Sequence, residues 1–233
     1  MISSKTKSEI NLLLGRPSPR ANIWEVDRHN KDLPCDKILP TYITEYIAYG
    51  LMRDFFLEHK EYTHLVIATD DIIVLPKHVK QLQRDLEKYD FPVLSGMMNV
   101  NQNDRQDVNL ASPIFAKERK QRSLIWLQRD SLPKEDIFQV EFSGFPLMAI
   151  RRDLVERWTF DADKVLVGQQ GWKGASLDLV FCWRCKEAGI PVFVDKRIDM
   201  KHLRSEGTMN THRQNRLIFW PKGGDRIKLE CVK

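Results

Sequence analysis

Long apolar runs are scarce in this chain of 233 residues, although 42% of its residues are hydrophobic. No uninterrupted apolar stretch approaches the roughly 20 residues that a helix needs to cross a bilayer. The N-terminal segment has a short apolar stretch, but it lacks the long hydrophobic region and the small-residue cleavage site of a secretory signal. With 30% charged residues, the composition is that of a soluble globular protein, and we expect a cytoplasmic location.

Cysteine is also scarce, because the chain has four of them and they form no recognisable disulfide framework. Cys182 and Cys185 are spaced as C-x-x-C within a helical pattern. No second pair and no histidine accompany them at the spacing of a zinc site. The sequence therefore favours reduced cysteines that serve as packing residues over a redox or metal centre.

A glycine-rich phosphate loop is missing as well. Residues 8–14 have the apolar pattern of a strand, and the loop around its end contains one glycine, Gly15. A nucleotidyltransferase with a similar sheet would need a glycine-rich loop with a basic residue here, so this class of enzyme is disfavoured. The chain also lacks internal repeats, low-complexity segments and an obvious linker, which predicts a single domain.

Positive charge is distributed unevenly along the chain. Residues 1–200 contain 29 Lys and Arg against 29 Asp and Glu, whereas residues 201–233 contain 8 basic and 3 acidic residues. The whole net charge of +5 therefore lies at the C-terminal end. Such a tail contacts phosphates, an anionic membrane surface or nucleic acid, or is only a solvated end. Apart from Phe219 and Trp220, aromatic residues are not interleaved with these charges, so we expect no nucleic-acid partner.

Hydrophobic periodicity predicts an α/β fold with a mostly parallel central sheet flanked by helices. Strand-like segments alternate with amphipathic helical segments in the N-terminal part of the chain. The expected strands cover residues 8–14, 22–26, 64–69, 92–98, 123–128, 137–142 and 191–195. The expected helices cover residues 44–60 and 77–88, a segment that begins near Arg151, and residues 177–188. Residues 99–122 lack a pattern and are expected to form a surface loop or lid.

The most informative segment is residues 63–76, THLVIATDDIIVLP. Its apolar run ends at Asp70 and Asp71, which places two carboxylates at the end of a buried strand, where open α/β sheets bind their ligands. Carboxylates in such a position suit Mg²⁺ or Mn²⁺, which bridge proteins to phosphate groups. Short carboxylates also cap helices and stabilise turns, and from this segment alone both interpretations stand.

Three blocks of sequence resemble the family 2 glycosyltransferases and their relatives with the GT-A fold. Residues 64–76 are similar to the strand with the D-x-D signature, and residues 142–154 are similar to the family's glycine segment. Residues 176–203 match the order of its catalytic segment, with Asp178, Arg184, Ala188, Gly189 and His202 at the corresponding places. The resemblance covers residues 8–202 and depends on the order of the blocks rather than on any one of them.

Two positions depart from the family pattern. The first Asp of the D-x-D signature is Thr69 in this chain, whereas the last is kept as Asp71. The Glu of a Glu-Asp pair is Leu177, whereas its Asp is kept as Asp178. These departures leave open a non-catalytic relative that binds a nucleotide sugar.

The resemblance implies a metal-dependent glycosyltransferase with Mn²⁺ or Mg²⁺ as its cofactor. Asp71 and His202 are then the metal ligands, and Asp70 is a further ligand or holds the ligands in place. Asp178 is the general base that takes the proton of the acceptor hydroxyl, which implies a single displacement with inversion. Retaining enzymes share the fold, and capping of a helix is the alternative role for Asp178.

The same resemblance implies a nucleotide-diphosphate sugar as the donor, with UDP or GDP expected as its nucleotide. Gly15, Arg16 and Pro17 occupy the place where such enzymes receive the nucleotide base. Gly144 allows the donor or the acceptor to approach the backbone closely, although a simple turn would also explain this glycine. The sequence does not specify the acceptor, which we expect to be a glycan, a lipid or a protein.

The resemblance also gives the basic tail a candidate role. Arg204, Arg213 and Arg216 are expected to fold over the diphosphate or to bind an anionic acceptor. The expected organisation is therefore a GT-A-like domain over residues 1–202 and a basic tail over residues 203–233 that packs on or over the active site. Peripheral membrane contact through the tail stays open.

Overall fold

The computed structural model describes residues 9–18, 24–43, 45–99, 107–117, 121–160, 177–203 and 216–229. Its N-terminal elements are β1 (Leu12–Gly15), α1 (Trp24–Asn30), β2 (Asp36–Thr41), α2 (Glu45–Glu58), β3 (His64–Ile67), β4 (Ile72–Ile73), α3 (Pro76–Lys88) and β5 (Val93–Met98). The later elements are β6 (Asp107–Lys117), β7 (Gln121–Gln128), β8 (Ile137–Val140), β9 (Phe142–Ser143), β10 (Met148–Arg151), α4 (Arg152–Arg157), α5 (Leu177–Glu187), β11 (Val192–His202), β12 (Arg216–Trp220) and β13 (Ile227–Leu229).

The described strands form one large sheet and one small sheet. The large sheet has ten strands in the spatial order β13, β12, β2, β1, β3, β10, β5, β11 and β4, with β8 paired to β11. The small sheet contains β7, β6 and β9. Strands β2, β1, β3, β5 and β11 all run in the same direction, and we call them the co-directional strands.

The expectation of a mostly parallel sheet is wrong, because β10 lies antiparallel between β3 and β5. Strands β4 and β8 also pair antiparallel with β11, and β12 pairs antiparallel with β2. The first residue of β10, Met148, lies opposite Ile67 at the carboxyl end of β3, so the chain enters the sheet from that edge and runs back against β3. The broader prediction of an α/β fold with a large central sheet flanked by helices is confirmed.

Two hydrophobic cores cover the two faces of the large sheet. Alternate residues of β1 divide between them, because Leu13 packs in one core while Leu12 and Leu14 pack in the other. Phe56 of α2 belongs to the first core, and Leu82 of α3 belongs to the second. Successive side chains of a strand point to opposite faces, so a strand that is covered on both faces needs a continuous apolar run.

Helix α3 agrees with its prediction over residues 77–88. Pro76 occupies the first helical position, where its missing N–H is not needed. The backbone N–H of Leu75 donates to His78 Nδ1 at 3.2 Å, which closes the first turn. The face towards the core is apolar at helical spacing, with Val79, Leu82 and Leu86 buried.

Two local predictions are wrong. Part of the expected strand over residues 22–26 is instead the start of α1, Trp24–Asn30. The expected loop over residues 99–122 contains β6, a strand of 11 residues that pairs with both β7 and β9. Val108 and Leu110 are fully buried in β6. Their alternation with polar residues is short, and the surrounding charges obscure it in the sequence.

The described part of the C-terminal tail extends the large sheet beyond β2. Strand β12 pairs with β2, and the hairpin to β13 forms the outer edge. The ring of Trp220 makes cation–π contacts with two residues. Lys37 Nζ of β2 lies 5.3 Å from the ring centroid, and the Arg226 guanidinium in the hairpin lies 4.2 Å from it. Arg204 and Arg213 lie outside the described residues.

Cys35, Cys182 and Cys185 are free and buried. Burial raises the pKa of the Cys185 thiol to about 12, which keeps it protonated at neutral pH. The prediction of reduced packing cysteines is confirmed for these three residues. Within the described ranges, no helix has the length and apolar character needed to span a membrane.

Candidate active site

The carboxyl ends of the co-directional strands meet at one edge of the large sheet. Strand β1 ends at Gly15, β3 ends at Ile67 and β11 ends at His202. The segments after β1 and β3 are adjacent, since the N–H of Ala68 donates to the Gly15 carbonyl at 3.1 Å. Most of the predicted nucleotide and metal residues therefore lie at this edge: Gly15, Arg16, Pro17, Asp70, Asp71 and His202.

Asp71 lies in the turn between β3 and β4 and meets His202, which is 131 residues away in sequence. Its Oδ2 atom is 3.2 Å from Nε2 of His202, and its Oδ1 atom accepts a hydrogen bond from Thr69 Oγ1 at 2.9 Å. The pairing of β4 with β11 places Ile72 opposite His202 and so fixes this contact. Both side chains keep some solvent access, with 14% of Asp71 and 17% of His202 exposed.

Arg16 lies beside the same turn. Its side chain is 2% exposed, and its Nη1 atom donates to the carbonyl of Ile72 at 2.9 Å. The backbone N–H of Arg16 donates to the Ile38 carbonyl, which continues the pairing of β1 with β2. Asp70 is also buried, with 5% exposed. The guanidinium therefore holds the chain directly after Asp71 through the Ile72 carbonyl.

The sequence predicted that Gly15 contacts the nucleotide, and the structure shows that this glycine has a role in packing. A Cβ atom at this position would lie 2.8 Å from Sδ of Met52 in α2, which is closer than van der Waals contact. The glycine therefore lets α2 pack against the end of β1. Pro17 is buried in the same segment.

Asp178, the predicted base, lies in the first turn of α5, and its carboxylate faces Gly144. Oδ1 accepts a hydrogen bond from the N–H of Leu179 at 2.8 Å. Oδ2 lies 3.4 Å from the position that a Cβ atom would take at Gly144. Nδ2 of Asn109 in β6 also lies 3.4 Å from that position. A carboxylate and an amide therefore flank the bare face of Gly144, and we call this arrangement the Gly144 notch.

The turn between β3 and β4 that carries Asp70 and Asp71, which we call the acidic turn, lies close to the Gly144 notch. The N–H of Thr69, two residues before Asp71, donates to the carbonyl of Phe145 at 3.2 Å. The N–H of Gly144 donates to the carbonyl of Asn109 at 3.0 Å, which attaches the notch to the small sheet. The structure thus brings Gly144 close to the turn that carries Asp71, and Asp178 adjoins Gly144.

Two side chains at this edge, Asp71 and His202, are chemically able to ligate a metal ion. Among the described residues, no group of three or more His, Cys, Asp or Glu side chains is arranged to hold a metal ion. Asp71 Oδ2 and His202 Nε2 are 3.2 Å apart. Adjacent ligands of a six-coordinate ion with bonds of about 2.1 Å are separated by about 3 Å, so this spacing suits two neighbouring ligands.

A concavity lies near the start of β11, and its lining does not include Asp71 or His202. It is lined by Val140, Glu141, Cys182, Lys186, Ile190 and Pro191, among others. Its charged groups pair with each other, since Lys186 Nζ is 2.6 Å from Glu141 Oε2. This pairing gives the two side chains a structural role.

Asn109 is the residue of this region that sequence reasoning missed. It lies in a stretch that was expected to be a loop, where an asparagine carries no signal. The pattern V-N-L over residues 108–110 does alternate as a strand does, and Asn109 would then face away from its apolar neighbours. Only the pairing of β6 with β9 shows that this side chain meets Gly144.

Comparisons with known proteins define the class of fold. No protein-family model matches the chain, and no curated protein matches its sequence. The crystal structure of A197 from STIV is similar over 96% of both chains, with a TM-score of 0.58 and 12% sequence identity. The inositol-1-phosphate CTP transferase from T. maritima matches 86% of this chain and 91% of its own, with a TM-score of 0.43 and 11% identity. The first likeness shows a shared fold alone, and the second is too weak to support an argument.

Proposed function

We propose that this protein is a metal-dependent glycosyltransferase of the GT-A type that transfers a sugar from a nucleotide-diphosphate donor to an acceptor hydroxyl with inversion. The observation that supports this most is the meeting of Asp71 with His202 at the edge where the co-directional strands end. Asp178 belongs to the adjoining notch, which joins this edge through Thr69 and Phe145. Residues that are distant in sequence thus form one polar region where α/β sheets bind ligands.

Asp71 and His202 would hold Mn²⁺ or Mg²⁺ between Oδ2 and Nε2. A carboxylate oxygen and a neutral imidazole nitrogen are competent ligands for these ions, and the ion would replace the proton that the two atoms share. Thr69 donates to the other carboxylate oxygen and so orients Asp71. When bound, the ion neutralises the charge that develops on the leaving diphosphate.

Asp178 would act as the general base at the acceptor. Its Oδ1 atom is bonded to its own helix, which fixes the carboxylate so that Oδ2 faces Gly144. The acceptor hydroxyl would approach over Gly144, where no side chain intervenes. Asp178 would take the proton as the hydroxyl oxygen attacks the anomeric carbon from the side opposite the diphosphate, which gives inversion.

The donor nucleotide would lie against the segment of Gly15, Arg16 and Pro17, with UDP or GDP as the expected nucleotide. Arg16 would act through the turn that it holds, because its side chain is buried under Ile72. Asp70 would stabilise the same turn from its buried position. Arg204, in the basic tail, is proposed to close over the diphosphate, and a glycan, lipid or protein would be the acceptor.

The first experiment is a thermal-shift screen of UDP, GDP, CDP and dTDP, each with and without Mn²⁺. A nucleotide that binds only the folded protein raises the melting temperature. We expect one nucleotide to do so only with Mn²⁺, and the shift to disappear in Asp71→Ala. Asp54→Ala is the matched control, because this carboxylate has 67% of its side chain exposed and lies on α2. No shift with any nucleotide at millimolar concentration would contradict the proposal.

Replacement of the base separates chemistry from binding. Asp178→Asn should keep the metal-dependent shift but lower turnover by about 10²- to 10⁴-fold, because a proton acceptor is lost while the shape is kept. Release of the nucleoside diphosphate from the donor measures turnover. A normal rate in Asp178→Asn would show that another group is the base.

A non-catalytic relative that binds a nucleotide sugar is the second candidate. The specific observation in its favour is that Leu177, which replaces the family's Glu, is 7% exposed and packs in the core. Metal-dependent nucleotide binding without turnover for any donor would favour this candidate.

A further inference from the structure

Asn109 has a side-chain amide that the fold leaves without a hydrogen-bond acceptor. The residue is 3% exposed, and its Nδ2 atom has no partner among the described residues. A buried polar group without a partner destabilises the folded state, so its presence calls for an explanation. Nδ2 lies at the Gly144 notch, to which Asp178 also contributes its Oδ2 atom.

The orientation of this amide is fixed by the fold. The N–H of Met98, the last residue of β5, donates to Asn109 Oδ1 at 2.8 Å. A backbone N–H can donate only to the oxygen end of the amide, so the nitrogen end must be the one at the notch. The backbone is held as well, because the Asn109 carbonyl accepts from the N–H of Gly144 at 3.0 Å. The donor is thus rigid before any ligand binds.

The Gly144 notch combines a hydrogen-bond donor with an acceptor near the Cα atom of Gly144. Nδ2 of Asn109 is a donor, and Oδ2 of Asp178 is an acceptor. Each lies 3.4 Å from the point where a Cβ of Gly144 would be. A hydroxyl group is the simplest chemical group that satisfies both, because it accepts through its oxygen and donates through its hydrogen.

We infer that Asn109 binds the acceptor hydroxyl and, together with Asp178, selects a hydroxyl as the attacking group. This inference depends on the proposed function. In the reaction, the hydroxyl oxygen forms a bond to the anomeric carbon as the bond from that carbon to the diphosphate oxygen breaks. The electron pair leaves with the nucleoside diphosphate, and the hydroxyl proton moves to Asp178 Oδ2. The Asn109 amide aligns the oxygen and keeps its own protons.

The test compares three variants in release of nucleoside diphosphate from UDP-glucose, UDP-N-acetylglucosamine and GDP-mannose, with water as the acceptor. Asn109→Asp keeps the acceptor that Met98 N–H needs but removes the donor. Gly144→Ala fills the notch from the other side. Asn11→Asp is the matched control, because Asn11 lies at the opposite end of β1 and donates through Nδ2 to the carbonyl of Glu61.

We expect Asn109→Asp to lower kcat at least tenfold while the KM for the donor and the Mn²⁺-dependent nucleotide shift stay unchanged. The acid limb of its pH–rate profile should move to higher pH by about one unit, because a second carboxylate disfavours ionisation of the first. Gly144→Ala should also lower kcat, whereas Asn11→Asp should behave as the wild type. A variant that is only less stable would not combine a lower kcat with an unchanged KM and a shifted pH–rate profile.

Two results would overturn the inference while leaving the proposed function in place. One is wild-type kcat and pH profile in Asn109→Asp. The other is an equal loss of nucleotide binding and turnover, which would show that Asn109 only supports the fold. No release from any donor by the wild-type protein would count against catalysis itself, and the role of Asn109 would be rejected with it.

Discussion

The two ends of β11 both carry carboxylates, and they differ in what neutralises the charge. Near the start, Arg197 donates to Asp195 at 2.8 Å and to Asp85 of α3 at 3.1 Å. At the end, His202 meets Asp71 at 3.2 Å. Asp195 is fully buried, whereas Asp71 and His202 keep some access to solvent.

The difference shows why one acidic cluster is structural and the other is a candidate metal site. A guanidinium is a permanent cation that binds carboxylates in a fork, so Asp195 and Asp85 already have a fixed cation in the protein. An imidazole gives up its proton at neutral pH and can share a metal ion with a carboxylate. The partner, rather than the carboxylate, therefore decides which role an acidic cluster has.

The largest effect on stability is expected at the start of β11. Arg197→Met should lower the free energy of unfolding by about 3 kcal/mol, because it leaves two buried carboxylates without their cation. The value lies at the lower end of the range for buried pairs, since 41% of the Arg197 side chain is exposed. Denaturant unfolding at pH 7 measures it, and Arg197→Lys should recover part of the loss.

A substitution at the neighbouring residue of β11 is the control for Arg197→Met. Lys196→Met, next to Arg197, should change the free energy of unfolding by less than Arg197→Met, because the Lys196 ammonium donates to two loop carbonyls rather than to buried carboxylates. Equal effects of the two substitutions would mean that the acidic cluster does not depend on Arg197.

A smaller effect, on binding rather than folding, is expected at the end of β11. His202→Ala should raise the Mn²⁺ concentration that gives half of the nucleotide-dependent thermal shift by at least about 10- to 100-fold, because loss of an outer partner of a metal ligand already costs that much and His202 is proposed as a ligand itself. Arg197→Met is the reciprocal control and should leave this concentration unchanged. An unchanged Mn²⁺ midpoint in His202→Ala would exclude this histidine as a ligand.

The cluster at the start of β11 should also titrate. Burial and a hydrogen bond with Asp195 raise the pKa of Asp85 from 3.8 to about 6. A raised carboxyl pKa gives stability that is present below about pH 4 and is lost as the pH rises through about 6. The wild type should therefore lose about 1–2 kcal/mol relative to Asp85→Asn between pH 4 and pH 7. A constant difference across that range would show that Asp85 does not take up a proton.

The segments that could be predicted from sequence are those whose signal is local. The strand His64–Ile67 and the helix α3 have apolar patterns that are complete within a few residues. The carboxylates after β3 follow from the end of that apolar run. Their proximity to His202 was predicted only through the family resemblance, because no local pattern links residues that are 131 positions apart.

The features that could not be predicted depend on pairing between distant strands. Strand β10 lies between β3 and β5, and β12 pairs with β2. No periodic pattern in the sequence indicates which distant strands pair with each other. Strand β2 was missed because Lys37 and Pro40 are unfavourable in strands, and Lys37 is buried here. Asn109 reaches the notch through the same kind of pairing, between β6 and β9.

The smallest effect is expected between the two ends of β11, at Asp199. This residue forms a bidentate pair with Arg129, with distances of 2.7 and 3.0 Å, and Asn99 Oδ1 also accepts from the guanidinium. The geometry is as good as that of Arg197 with Asp195, but 41% of the Asp199 side chain and 33% of the Arg129 side chain are exposed. Water solvates both charges in the unfolded and the folded chain, so Asp199→Asn should lower the free energy of unfolding by less than about 1 kcal/mol.

The loss of stability in Asp199→Asn should disappear in 1 M NaCl, because the Debye length falls to about 3 Å. Denaturant unfolding at low and high salt measures this, and a salt-independent loss as large as that of Arg197→Met would show that burial does not set the strength of the ion pairs along β11.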